Sequence, residues 1–160
     1  MKKSSQNKIS SEAVKYYEKG SKYYVKKDYE RARKYFREAA NRGHATAQFN
    51  LGVMHLNGEG VIKNDKEASN WFLLSANQGV ADAQANLGYL YEFGRGVPED
   101  KQEALKWYRK AADQGNTIAK EALVTLDSNN TFSKKSNENV SSVIGKFEKQ
   151  FDFIEYARAL

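Results

Sequence analysis

Residues 81–116 read ADAQANLGYLYEFGRGVPEDKQEALKWYRKAADQGN, and the 36 residues before them, 45–80, read ATAQFNLGVMHLNGEGVIKNDKEASNWFLLSANQGV. The two stretches align without a gap. Ala45/Ala81, Ala47/Ala83, Gln48/Gln84, Asn50/Asn86, Leu51/Leu87 and Gly52/Gly88 are identical, as are Gly58/Gly94, Gly60/Gly96 and Val61/Val97. The identities continue through Glu67/Glu103, Ala68/Ala104, Trp71/Trp107, Ala76/Ala112, Gln78/Gln114 and Gly79/Gly115. Tryptophans and glycines recurring at one fixed offset mark a structural repeat.

Each unit decodes as two helices. From Ala45 to Leu56, the residues Phe49, Leu51, Val53, Met54 and Leu56 form broad apolar faces. The run ends in N-G-E-G, whose glycines permit the positive φ of a tight exit. Asn64 is placed to cap a second helix, with Glu67 three positions on to complete a capping box, and Asp100 with Glu103 repeats the device. Gly79 and Gly115 stand just past the second helices, where a left-handed terminating residue belongs. Gly52, Ala68, Ala76, Gly88, Ala104 and Ala112 leave room for close helix approach, while Trp71, Phe72, Trp107 and Tyr108 fill the spaces between units. One unit cannot bury its apolar faces alone, so stacked neighbours supply the core.

The run from Ala83 to Val97, A-x-x-x-L-G-x-x-Y-x-x-G-x-G-V, followed by A-x-x-W-Y-x-K-A-A-x-Q-G from Ala104 to Gly115, resembles the Sel-one-like repeat (SLR) family. Residues 45–80 depart from that pattern with His55 in place of Tyr, and with Leu73, Leu74 and Ser75 where Lys and Ala are usual. These changes predict a more deeply covered second helix in that unit. The preceding segment resembles a tetratricopeptide repeat. Tyr16, Gly20, Tyr23, Ala32, Phe36 and Ala39 fall at its spacing and Asp28 can cap its second helix, although Lys19 and His44 replace its leucine and proline. The resemblance implies an all-α fold, a right-handed α-solenoid of helix-turn-helix repeats, with a C-terminal amphipathic helix added.

The predicted organisation is a disordered N-terminus at 1–10, a tetratricopeptide-like repeat at 11–44 and SLR repeats at 45–80 and 81–116. A capping helix at 117–126, a linker at 127–139 and an amphipathic helix at 140–160 complete it. Ile118, Ala122, Leu123 and Leu126 supply the capping helix with its apolar face. Val140, Ile144, Phe147, Phe151, Ile154 and Ala157 recur at spacings of three and four, the mark of an amphipathic helix. Such a helix can fold back on the last repeat or the groove, self-associate, or dock a partner. Membrane binding is the weakest option, because Glu148, Asp152 and Glu155 offset Lys146, Lys149 and Arg158.

The 160 residues include no cysteine, which excludes disulfides and thiolate metal sites and fits a reducing compartment. No apolar run follows the N-terminal lysines, so no signal peptide is expected, and no segment is apolar enough to span a bilayer. The expectation is a cytoplasmic protein, with a secreted effector lacking a cleavable signal as the alternative. His44 and His55 are the only histidines and read as packed or surface residues. No nucleophile motif is present, and neither G-E-G-V nor G-R-G-V carries the lysine of a phosphate loop. The sequence therefore predicts no enzyme activity, no cofactor and no metal.

Stacked helical pairs offer a concave surface lined by the first helix of each unit. By tetratricopeptide geometry its candidate residues are Tyr17, Ser21, Tyr24, Phe49, Asn50, Val53, Asn86, Tyr89 and Phe93. The aromatics would supply contact area, and the two asparagines would bond a peptide backbone. The plain alternative is that these side chains are core. Charge is uneven: residues 1–44 hold 13 Lys or Arg against 5 Asp or Glu, while 45–126 hold 8 against 10. Lys15, Lys22, Lys26, Lys27, Arg31 and Lys34 form a basic patch that is either a solvated face or a site for nucleic acid or an anionic surface. The resemblance implies a protein or peptide partner, in an adaptor, scaffold or inhibitory role. Nucleic acid binding and self-association through the C-terminal helix are the alternatives.

Overall fold

The computed structural model describes residues 10–131, with side chains through residue 126. The predicted tail before Ser10, the linker from residue 132 and the helix at 140–160 lie outside the described residues. Within them the elements are α1 (Ser11–Val25), α2 (Tyr29–Asn41), α3 (Ala45–Asn57), α4 (Asp65–Asn77), α5 (Ala81–Glu92), α6 (Lys101–Asp113) and α7 (Thr117–Thr131). Each odd helix packs on the even helix that follows it, and each pair packs on the next. The result is an all-α solenoid of two layers: α1, α3, α5 and α7 form an inner row, and α2, α4 and α6 an outer one.

A ring laid on a glycine joins the two helices of every pair. A Cβ at Gly20, Gly52 or Gly88 would stand 2.5 Å from Phe36, 2.5 Å from Phe72 or 2.8 Å from Tyr108 respectively. Phe36, Phe72 and Tyr108 are all fully buried. Hydrogen bonds then join one pair to the next. Gln78 Nε2 donates to Gln48 Oε1 at 2.7 Å, and Gln48 Nε2 donates to the carbonyl of Ala40 at 3.1 Å. One repeat later, Gln114 donates to Gln84 at 2.8 Å and Gln84 to the carbonyl of Ala76 at 3.1 Å. Each relay ends on the C-terminal turn of the preceding outer helix, where carbonyls lack helical partners.

The caps follow the sequence with one change. Asn64 Oδ1 accepts from the amides of Lys66 and Glu67, and Asp100 Oδ1 from those of Gln102 and Glu103. The return leg of the capping box is not made. The amide of Asn64 instead donates to the carbonyl of His55 at 2.9 Å, and that of Asp100 to Tyr91 at 2.8 Å. The cap thereby also closes the loop onto the first helix.

Two expectations are corrected. Leu73 and Leu74 are 38% and 48% exposed, so the more apolar α4 is not more deeply covered; they lie on its outer side, and only Ser75 is buried. α7 continues to Thr131, past the expected boundary at Leu126. Asp127–Thr131 contains neither Gly nor Pro, so polar residues alone do not end the helix. His44, read as a packed or surface side chain, is buried and also serves as the N-cap of α3: its Nδ1 accepts from the amide of Ala47 at 3.2 Å.

Gly52→Ala gains helix propensity but drives a methyl into Phe72. A net loss of about 1–3 kcal/mol is expected from denaturant unfolding, and an unchanged midpoint would show that the ring has room to move.

Burial lowers the His44 pKa below its ordinary 6.5, and only the neutral ring accepts the cap bond. A pKa lowered by folding means that this stabilisation is present above pH about 6.5 and is lost as pH falls through the folded-state value. His44→Asn keeps an acceptor and removes the titration. Between about pH 7.5 and pH 5 the wild-type chain should lose about 1 kcal/mol more stability than the variant; equal losses would refute the titrating cap.

Candidate interaction groove

Gly52 faces α4, and two positions along a helix rotate a side chain by about 200°. Asn50 therefore points away from the outer layer, and so does Asn86 relative to Gly88. Both asparagines are 1% exposed. Asn86 Nδ2 donates to the carbonyl of Asp82 at 2.7 Å. Its Oδ1, and both Nδ2 and Oδ1 of Asn50, are buried without a hydrogen-bond partner.

The aromatic candidates fall into two groups. Phe49, Tyr89 and Phe93 belong to the core shared by the second and third pairs, and Tyr17 and Tyr24 to the core of the first. Tyr89 and Phe93 meet with ring centroids 4.9 Å apart, Phe49 meets Phe72 at 5.8 Å, and Tyr17 stacks on His44 at 4.3 Å. Tyr24, Phe49 and Tyr89 are buried; Tyr17 and Phe93 are half-buried. Of the remaining expected positions, Val53 is buried, and the Ser21 hydroxyl donates to the carbonyl of Tyr17 at 3.1 Å. All six residues of the basic patch are exposed. The interleaved tyrosines are already engaged, since Tyr16 lies under Arg42 and Tyr23 stacks on Tyr35.

Sequence reasoning missed the polar pins at the rim. The middle residue of each Gly-x-Gly turn reaches back to the preceding pair. Tyr24 Oη donates to Glu59 at 2.5 Å. One repeat on, Arg95 grips Asp65 through Nε at 2.9 Å and Nη2 at 3.2 Å, and donates from Nη1 to Tyr89 Oη at 3.0 Å. The available signal was that Glu59 and Arg95 occupy one repeat position with opposite charges.

Two carboxyls in the third pair are held above the usual range. Burial raises the pKa of Asp82, partly offset by the hydrogen bond from Asn116, and burial raises that of Glu92, partly offset by Tyr108. Tyr108 in turn is pushed well above the phenol range, by its own burial first and by Glu92 second. These are half-buried pairs bridging neighbouring helices, with only Tyr108 fully buried. Among the described residues no cluster of His, Asp and Glu is placed to hold a metal, and no helix is long and apolar enough to cross a membrane.

Known proteins share this architecture. The Sel1 repeat family matches residues 4–44, 45–80 and 81–116. The first unit, which resembles a tetratricopeptide repeat, is thus a Sel1 repeat as well; its interhelix loop is shortened and lacks the Gly-x-Gly turn. No curated protein matches the chain. A Sel1 repeat protein from Oxalobacter formigenes is 38% identical, with a TM-score of 0.66 over 69% of this chain and 45% of its own. A protective antigen of uropathogenic Escherichia coli strains, displaying an SLR fold, is 39% identical, with a TM-score of 0.64 over 68% of this chain and 24% of its own. Helicobacter pylori cysteine rich protein B is 25% identical, with a TM-score of 0.55 over 57% of this chain and 69% of its own. The matches span under half of the first two of these proteins. Three consecutive matched units with this two-layer packing place the chain in the Sel1 repeat family.

Proposed function

We propose that this chain is a non-enzymatic protein-binding module, an adaptor or inhibitory binder that takes a peptide segment of its partner along α1, α3 and α5. Sel1 repeats are in general modules for protein–protein interaction. The observation that carries the reading is Asn50. An amide aimed into the inner row, buried on both polar atoms and bonded on neither, costs roughly 1–3 kcal/mol relative to a paired one. A peptide backbone supplies both a carbonyl and an N–H, so it can satisfy donor and acceptor together. Phe93, half-buried at the loop end of α5, is an aromatic anchor within reach.

The exposed lysines of the first pair favour a second reading, binding of nucleic acid or an anionic surface. Against it, the tyrosines among them are stacked on protein neighbours and present no free platform for bases.

A photo-crosslinking residue at Phe93, at Leu74 on the outer face, or at Lys22 in the basic patch separates the two. Protein adducts are expected from Phe93 and not from Leu74, and they should survive moderate salt. Adducts to nucleic acid from Lys22 that fall steeply with salt, with none from Phe93, would reverse the assignment.

A further inference from the structure

We propose that the seam between α2 and α4 is a carboxylate-binding site, in which Arg33, Arg37 and His55 hold an Asp or Glu side chain of a partner protein. The site lies off the inner row and stands or falls independently of the groove.

Three helices build the seam. Arg33 and Arg37 are one turn apart on α2 and so share a face. His55 is in the last turn of α3. Burial lowers its pKa most; Glu67 of α4 opposes that, while Arg33 and Arg37 add to it. The ring therefore stands within electrostatic reach of both α2 and α4. Trp71, one turn after Glu67, packs against the core of the first pair and closes α4 onto it. The carbonyl of His55 accepts from the amide of Asn64 at 2.9 Å, which fixes the backbone beneath the ring.

Two groups in this seam are buried without a hydrogen-bond partner, Arg33 Nε and His55 Nδ1. The Nε of an arginine always carries a proton, so the first is a donor with nothing to donate to. A folded chain seldom leaves one such group without a reason, and here two share one place. Among the described residues no ion pair joins Glu67 to either arginine.

The repeat supplies the control. In the seam between α4 and α6, Ser69 takes the place of Arg33, Leu73 that of Arg37 and Tyr91 that of His55. The Ser69 hydroxyl donates to the carbonyl of Lys66 at 2.8 Å, and Glu103, the counterpart of Glu67, pairs with Lys106 at 2.8 Å. That seam closes without an arginine or a histidine. Packing therefore does not require the basic groups of the first.

Charge selects the ligand. A guanidinium is a planar fork suited to the two oxygens of a carboxylate. With His55 neutral, two arginines against Glu67 leave one positive charge, which a carboxylate neutralises and a phosphate dianion oversupplies. Arg37 and Glu67 are exposed, and Arg33, His55 and Trp71 are half-buried. So shallow a seam takes the tip of a side chain and leaves a free organic acid largely in water. Leu74 lies about 10 Å beyond Glu67 along α4, at ~1.5 Å per residue, and is clear of it.

The test follows the Nε–H NMR signal of Arg33 in the isotope-labelled full chain. Acetate and the capped tripeptide acetyl-Gly-Glu-Gly-amide should shift it saturably, and chloride at equal ionic strength should not. Absence of a saturable shift overturns the proposal, as does tighter binding of inorganic phosphate than of acetate. A response to acetate without one to the tripeptide overturns the partner side chain and assigns the seam to a free acid. Glu67→Gln should tighten acetate binding about threefold by removing a like charge. Binding seen only in that variant makes Glu67 the resident carboxylate and ends the proposal.

Arg33→Ser combined with His55→Tyr installs the residues of the next seam. The Arg37 Nε–H signal of this variant should no longer respond to acetate, while its unfolding midpoint in denaturant stays level or rises. A lower midpoint would show that the basic groups serve packing, and an unchanged response would place the anion elsewhere; either result overturns the site.

Discussion

An aromatic ring seated on a glycine sets the geometry of this stack. Phe36 on Gly20, Phe72 on Gly52 and Tyr108 on Gly88 bring inner and outer helices closer than any side chain between them would permit. The consequence reaches beyond packing. Once the glycine is turned toward the outer layer, the residue two positions before it must face the opposite way. That residue is Asn50 in α3 and Asn86 in α5. The contact that closes each helical pair also aims the groove-facing side chain, so fold and candidate site are specified together.

Successive pairs are joined by a second glycine contact and by polar pins. Gly60 packs against the backbone of Tyr29, the first residue of α2, and Gly96 against that of Asp65, the first residue of α4. Both glycines take positive φ, 64° and 70°, so a side chain there would meet both conformational strain and a neighbouring helix. The residue between the glycines adds the pin. Glu59 and Arg95 occupy equivalent places, yet one accepts from Tyr24 and the other grips Asp65 and donates to Tyr89. The grip is kept while its chemistry is exchanged. The bonds to Tyr24 and to Asp65 join adjacent pairs, as nearest-neighbour coupling in a solenoid requires, and the bond to Tyr89 steadies Arg95 within its own pair.

Much of this was legible because the repeat prints its geometry at fixed offsets. Gly52 and Gly88, the caps at Asn64 and Asp100, and the terminators Gly79 and Gly115 all take the places that their spacing predicts, whereas Phe72 and Tyr108, expected between units, sit inside their own pair on those glycines. What escaped depends on the third dimension. Gln48 and Gln78 were visible as repeated residues, but their bond joins two helices whose registers the chain alone does not state. His44 does not look like a cap, since an imidazole nitrogen replaces the usual hydroxyl or carboxylate. The short first loop hid a further Sel1 unit, because Lys27, at φ 60°, takes the left-handed position that glycine fills elsewhere. The groove was read as an accessible lining, yet six of its nine candidates are buried. Periodicity says which way a side chain points, not what lies over it.

The inner row is not the same along its length. Two positions before the ring-bearing glycine, α1 has Glu18, which is exposed, whereas α3 and α5 have the buried Asn50 and Asn86. The matching position of α7 is Ala122, also buried. The floor therefore passes from a charged end at α1, through two amides, to a wholly apolar end at α7. A ligand of uniform character would be well matched over only part of this path. In the third pair Asn116 donates to Asp82 and Tyr108 to Glu92, while Arg33 Nε, His55 Nδ1, Asn86 Oδ1 and Trp107 Nε1 share with Asn50 the lack of a hydrogen-bond partner. Asn50, unpaired on both polar atoms, stands in the middle of this graded row.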